Sequence, residues 1–347
     1  MEKRVFFFDL LRCVAALAVV AIHVLAPYRH ELGVIPFHEW FSAITINGMS
    51  RWAVPVFIMI TGGLMLTDER PFDVKYYLRR RLGKVLLPFI IWSVFYAYLS
   101  GWSLDGYDVD IFMSLLVNSY QQETYYHLGF FYYFIPLYFV IPFLQIFIVR
   151  VDNSTVLFVL LFWLLTTTLY LFRIDGFWSH ELWLYSGYLL LGYVLYQKIT
   201  LTKQVMICFV FLGLIGLAAS VGMVALNSIA LEKYTVGRWL SYKTINTVVA
   251  ASMVFMLCRY YAGNLNGTAR KIIVFISRYS LGIYILHPIF LWPLKVFYGL
   301  QDDDIQTTRI LAHPLLVIPF WTIFSGAGAL FLSWRVSKSA KIAWLLP

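Results

Sequence analysis

The stretch FFFDLLRCVAALAVVAIHVLAP, residues 6–27, decides how the rest of the chain is read. A helix needs about 20 mostly apolar residues to cross the hydrocarbon core of a bilayer, and this run has that length. Preceded by Met1-Glu2-Lys3-Arg4 and ending on Ala26-Pro27, it also has the outline of a secretory signal peptide. The apolar segment of a signal peptide is uninterrupted, however, whereas this one carries Asp9, Arg12 and His23. We therefore read it as a retained first span.

The whole composition agrees with that reading. Of 347 residues, 61% are hydrophobic and 13% charged, with a mean hydropathy of +0.75. Soluble domains carry about 25% charged residues, and a chain of this size could not hide such an apolar excess in one or two cores. Aromatic residues reach 19%, which suits wide contact with lipid and its interfaces. The net charge of +9 does not point to nucleic acid, because the charges sit in short loops between apolar runs. Cys13, Cys208 and Cys258 lie in or at the edge of apolar runs and form neither a disulfide framework nor a metal-ligand spacing, so no metal is expected.

Nine further apolar stretches follow the first: 41–66, 85–103, 128–149, 155–172, 182–197, 204–226, 241–258, 273–295 and 310–334. The sixth span in the series, 182–197, is the shortest. Residues 110–118 are apolar but too short to span, and suit the interface. The expectation is an all-α polytopic bundle of about ten transmembrane helices, one membrane domain covering 1–347. Of the 27 Lys and Arg, only Arg29, Arg173, Lys233, Arg238, Lys295 and Arg309 fall in loops on the side opposite the N-terminus. That bias places both termini in the cytoplasm.

Ionisable residues inside spans cost about 2.5–3.5 kcal/mol each on insertion scales and mark functional sites by default. Arg12 and His23 are eleven residues apart, which puts them on one helix face about 16 Å apart along the axis. Asp9, three residues before Arg12, is placed to pair with it. A charge pair and a hydrogen-bonded histidine would be the packing explanation, but three ionisable groups on one face fit it poorly. Arg51, His127, Arg278 and His287 are further polar residues in or at the edges of spans, although a lone interfacial histidine is usually an anchor. Lys243, His30, His38, His180 and His313 read as interface residues. In YYLRRRLGKVLLPF (76–89), Arg79, Arg80, Arg81 and Lys84 form a dense cationic patch. Such a patch is an ordinary topology signal or lipid-headgroup contact, or it can hold a polyphosphate from the cytoplasm.

These motifs together resemble the acyltransferase 3 family of integral-membrane O-acyltransferases. That family opens with D-x-L-R, ten residues and His, supplied here by Asp9, Arg12 and His23. The likeness continues through RWAVPVFIMITG (51–62), RRRLGKVLLPFIIWS (79–93), YHLGFFYYFIPLYFVIPFL (126–144), ELWLYSGYLLLGYVL (181–195) and ISRYSLGIYILHP (276–288). Thr61, Lys84 and Gly129 depart from the family's usual Ser, Arg and Trp. The resemblance implies transfer of an acyl group, typically acetyl from cytoplasmic acetyl-CoA, to a hydroxyl of a surface or exported polysaccharide or lipid-linked glycan. It makes His23 the general base, with Arg12 and Asp9 beside it in the catalytic set. Arg79, Arg80, Arg81, Lys84 and Arg12 would hold the CoA, and His127, His287, Arg51, Arg278 and Tyr284 the acceptor. The expected setting is a bacterial inner membrane, with lipids, acyl-CoA and a glycan as partners. A transporter or flippase is the rival class, since intramembrane Arg and His also line substrate paths; a glycan polymerase would be expected to carry larger outer loops.

Overall fold

The computed structural model describes residues 4–68, 70, 72–103, 106–297 and 313–346. The first half comprises α1 (Phe6–Val24), α2 (Phe37–Ser50), α3 (Ala53–Met65), α4 (Val74–Tyr77), α5 (Gly83–Ser100), α6 (Val109–Asn118) and α7 (Gly129–Arg150). The second comprises α8 (Asn153–Leu171), α9 (Glu181–Tyr193), α10 (Lys203–Ala230), α11 (Ile245–Tyr261), α12 (Gly267–Arg278), α13 (Ser280–Phe297) and α14 (Pro314–Ser337). A two-residue antiparallel pairing of Trp102–Ser103 with Gly106–Tyr107 is the one sheet among the described residues.

Among the described residues, eight helical segments are long and apolar enough to cross a membrane, nine if α12 and α13 count as one bent span. The expected sixth span is α9, prolonged by a π-helical turn over Val194–Lys198, and it is not among the eight. Its reason is burial: Leu184, Tyr185, Gly187, Tyr188 and the residues that follow face other helices rather than lipid, so α9 can carry tyrosine and glycine. Helices on the outside of the bundle show the reverse, with Phe143, Val149, Phe211 and Leu316 largely exposed. The short stretch 110–118 is α6, with no buried residue.

Three expected spans are interrupted or shifted. The second begins at Phe37 and breaks at Arg51–Trp52, because Pro55 has no N–H to give the Arg51 carbonyl four residues back. The third begins at Val74 and passes through a π-helical turn, Leu78–Leu82, that carries Arg79, Arg80 and Arg81. The ninth, expected as a straight run over 273–295, turns by 72° at Tyr279. The amphipathic α12, with Arg270 and Lys271 exposed, therefore ends where a membrane-crossing helix begins. The starting residues expected for the tenth span, 310–312, lie outside the described residues.

Two glycines set the centre of the bundle. A Cβ on Gly62 of α3 would fall on the Leu189 carbonyl of α9, and one on Gly192 of α9 would fall on the Met59 carbonyl of α3. Backbone meets backbone at this crossing, as helices in lipid do when small residues let them approach. Gly63 beside it leaves just enough room for the Phe8 ring of α1, so α1 lies against the same crossing. Gly62→Val is expected to lose about 1–3 kcal/mol through overpacking. Gly222→Ala, where nothing lies within 4 Å, is the matched control. Thermal unfolding of the purified protein checks this; equal melting of the two variants would mean the helices do not cross so closely.

Candidate active site

α1 runs through the bundle with a polar cluster at each end. At the end assigned to the cytoplasm, Asp9 is 1% exposed and is the hub. Arg4 grips it with two parallel bonds, Nε to Oδ2 at 2.7 Å and Nη2 to Oδ1 at 2.8 Å. The Ser277 hydroxyl donates to Oδ1 at 2.7 Å. Arg12, the partner expected from spacing, stands further off, with Nη1 at 3.7 Å. A bidentate fork beats a single distant contact, so the i,i+3 pairing is secondary. Nothing in the sequence spacing singles out Arg4 or Ser277: the first lies beyond the helix start, the second 268 residues away.

These groups line a cavity of about 680 Å³ together with Asp68 and Arg278. The 72° turn after α12 is what brings Ser277 and Arg278 there. Arg278 was expected among the acceptor residues; the structure puts it with Arg12 and Arg4 instead. Asp68 receives Arg70 Nη2 at 2.5 Å and Arg81 Nη2 at 3.3 Å. The bond from Arg70, first of all, holds the Asp68 carboxyl below its ordinary pKa against the opposing effect of burial. This link therefore persists above the ordinary carboxylate range and is lost only as pH falls through the depressed value. Of the cationic row, Arg81 alone reaches the cavity's lining through Asp68. Arg79, Arg80 and Lys84 are exposed and form no ion pair among the described residues.

At the other end of α1, three histidines meet that sequence separates widely. His23 Nδ1 lies 2.8 Å from His287 Nε2. The rings are parallel to 6° with centroids 5.0 Å apart, so they meet edge to edge along that bond. His287 Nδ1 faces the carbonyls of Tyr284, at 2.7 Å, and Ile283, at 3.1 Å. Carbonyl oxygens only accept, so His287 Nδ1 carries the proton and the neutral ring's Nε2 must accept. His23 Nδ1 is then the donor, which leaves the lone pair on His23 Nε2. The hydrogen-bond chain thus fixes both tautomers. His287 is fully buried, while His23 keeps part of its surface open.

His127 is 2% exposed and packs edge-on to His287 at 5.6 Å and to Tyr96 at 4.6 Å. Neither of its ring nitrogens has a partner among the described residues, and the Ile285 carbonyl nearby is taken by Tyr96 Oη at 2.5 Å. Tyr284 donates its hydroxyl to the His127 carbonyl, so it ties two of the histidine segments together rather than facing a ligand. Tyr126, which sequence did not single out, stands edge-on to His23 at 4.9 Å. Arg51 sits at the break between α2 and α3, with Nε on Asn47 at 3.1 Å and Nη1 on the Tyr242 hydroxyl at 2.9 Å. One group with metal-ligand character, His38, Glu39 and His313, comes together within 4.8 Å at the starts of α2 and α14. His313 is too far in sequence from His38 and Glu39 for any spacing signal, and its Nδ1 already accepts the Leu315 amide.

A family model described as an acyltransferase domain, that of acyltransferase 3, matches residues 5–337. No curated protein matches the chain, and no solved structure does.

The Asp9 hub gives a prediction independent of turnover. Asp9→Asn removes the charge that Arg4, Arg12 and Ser277 share, and is expected to lower stability by about 1–3 kcal/mol. Arg80→Gln, on an exposed side chain, should stay within about 0.5 kcal/mol of the parent protein. Melting curves of the two variants check this; an unchanged Asp9→Asn would mean that the hub does not hold α1 to α12.

Proposed function

Because this chain belongs to the acyltransferase 3 family, we propose that it takes an acyl group, acetyl first of all, from acyl-CoA at the cytoplasmic face. The group goes to a hydroxyl of a surface or exported polysaccharide, or of a lipid-linked glycan, presented at the outer face of a bacterial inner membrane. Membership in an acyltransferase family favours this reading over a carrier. The observation that carries it is the pairing on one helix: a cation-rich cavity at one end of α1 and a histidine with an unprotonated Nε2 at the other.

Arg4, Arg12 and Arg278 are the cations suited to the phosphates of CoA, with Arg79, Arg80, Arg81 and Lys84 at the rim drawing the polyanion in. About 16 Å separates Arg12 from His23 along the helix, and the extended pantetheine arm is the part of the donor that can bridge it. The acceptor hydroxyl gives its proton to His23 Nε2 as its oxygen attacks the thioester carbon. The C–S bond then breaks, and the leaving thiolate takes that proton from His23 Nε2 to become free CoA, which returns the ring to its neutral form. A sugar hydroxyl is too weak an acid to attack unaided, hence the base. His287 holds the His23 ring in the tautomer and direction this step needs. Tyr284 and Tyr96 hold the segments around it, and His127 closes the pocket wall.

The test is transfer of labelled acetyl from acetyl-CoA into glycan by membranes bearing the protein, with donor binding measured separately on purified protein. His23→Ala should lower turnover by about 10²- to 10⁴-fold and leave CoA binding intact. His287→Ala should lower turnover less, because the base remains but loses its orientation. Arg12→Gln should weaken donor binding, and Arg12→Lys should not restore it, since an ammonium lacks the planar fork. Activity should also fall on acidification, as a protonated His23 has no lone pair to offer. No label in glycan from the parent protein would overturn the reading. Full activity of His23→Ala beside an inactive His287→Ala would move the base to His287.

A further inference from the structure

Two guanidinium groups, Arg29 and Arg51, lie close enough to His23 to act on it electrostatically, and neither has a counter-charge among the described residues. Arg29, in the 3-10 turn Ala26–His30 that follows α1, gives Nη2 to the Ile22 carbonyl at 2.9 Å, while its buried Nε has no partner. Arg51 gives two of its donors to Asn47 and Tyr242. Both act electrostatically on His23, and Arg51 acts on Arg29. Burial first, and then the facing charge of Arg51, pulls the Arg29 guanidinium below its ordinary pKa. Among the described residues no carboxylate lies within ion-pair distance of either. Of the acids on this side, Asp175 is held by Arg238 at 2.7 Å and Glu181 by Lys243 at 2.6 Å.

The neighbours of the pair are donors as well. The Tyr242 hydroxyl accepts from Arg51, and the Tyr234 hydroxyl accepts from Asn47 Nδ2 at 3.2 Å. Each phenol therefore keeps its own proton to give. The Asn47 carbonyl oxygen is engaged by Arg51 Nε, and the His30 ring packs edge-on against Tyr234 at 5.5 Å. What remains unused is a set of N–H and O–H groups around two like charges. Such a set repels cations, gives neutral hydroxyls no acceptor, and is complementary to an anion that can bridge two planar forks.

We propose that the acceptor carries an anionic group, a phosphate or a carboxylate, which docks between Arg29 and Arg51 and so sets its hydroxyl beside His23. This rests on the acyl-transfer reading and narrows its acceptor to acidic or phosphate-linked saccharides. Arg29 and Arg51 are binding residues in it; the proton moves through His23.

The experiment has a binding arm and a kinetic arm. In the first, the purified protein in nanodiscs is melted with pyrophosphate, glucuronate or glucose at matched ionic strength. Pyrophosphate or glucuronate should raise the melting temperature and glucose should not. The larger shift distinguishes a phosphate-linked acceptor from an acidic sugar. Arg29→Gln combined with Arg51→Gln should abolish the shift. In the second arm, Arg51→Gln should raise the acceptor KM by about tenfold or more, the worth of a charge-assisted bond, with kcat and the donor KM little changed. Equal shifts in parent and double variant, or none in either, would overturn the proposal. So would a fall in kcat at unchanged KM, which would make the pair a stabiliser of transferring charge. Asp302, Asp303 and Asp304 lie outside the described residues. If replacing all three by Asn created an anion response that the parent protein lacks, the counter-charge would be the chain's own and the proposal would fail. Anion shifts in a protein that transfers no acetyl would instead sink the acyl-transfer reading and leave the anion site standing.

Discussion

A carboxylate, a guanidinium and an imidazole on one helix inside a bilayer must find their partners in protein, because no water is there to supply them. That constraint on α1 organises the molecule. Asp9 draws Arg4 back from the chain start and Ser277 across from α12, which fixes where α12 must end. His23 draws His287 to the other end of α1, which fixes the register of α13. Between these two anchors α1 is sheathed in apolar contacts, with Leu11, Ala15, Val20 and Val24 fully buried. The glycine crossing of α3 and α9 lets both helices stand close enough to complete that sheath. Since hydrophobic attraction between helices is weak in lipid, polar anchors and close backbone contact carry much of the specificity.

Breaks in the helices serve the same end. A straight span would satisfy its own backbone but could not turn a side chain from one end of the bundle into its middle. Pro55 interrupts the α2–α3 span where Arg51 must reach Tyr242, and the turn at Tyr279 sets Arg278 beside Arg12. π-helical turns carry Arg79–Arg81 and close α9, the latter capped by Arg259 through the Leu195 and Ile199 carbonyls at 2.6 and 2.9 Å. Irregular backbone inside a membrane is tolerated where protein covers it or a cavity opens, and these breaks lie at such places.

Much of this was legible in the sequence, and the rest was hidden for physical reasons. Apolar runs of spanning length announced the lipid-facing helices, and Asp9, Arg12 and His23 stood out because charge does not belong in such a run. α9 was read as weak for the same reason: protein-facing helices need not be apolar. Arg278 was grouped with the acceptor residues because a sequence does not show the turn at the next residue, Tyr279, that sets it in the cavity with Arg12. Arg4 and Ser277 were missed because long-range partners leave no spacing. Arg29 was taken as an outer-loop charge, and only the fold brings it opposite Arg51. His287 was assigned to the acceptor, since a sequence displays two histidines but not the bond between them.

That bond bears on why an imidazole, rather than a carboxylate, orients the ring we propose as the base. A carboxylate behind His23 would bring a full negative charge into a site walled by Tyr96, Tyr126 and Tyr284, where desolvating an ion costs several kcal/mol. His287 does the orienting while neutral, and its own proton is held by two backbone carbonyls that cannot ionise. The histidine pair itself is therefore uncharged until, in the proposed transfer, His23 takes the acceptor's proton. In the proposed transfer an imidazolium would then stand near Arg29 and Arg51, and the repulsion would drive the proton onward to the leaving thiolate. An anion docked between the two arginines would soften that repulsion only while acceptor is present. Its departure with the product would then help return His23 to the neutral form in which the next turnover begins.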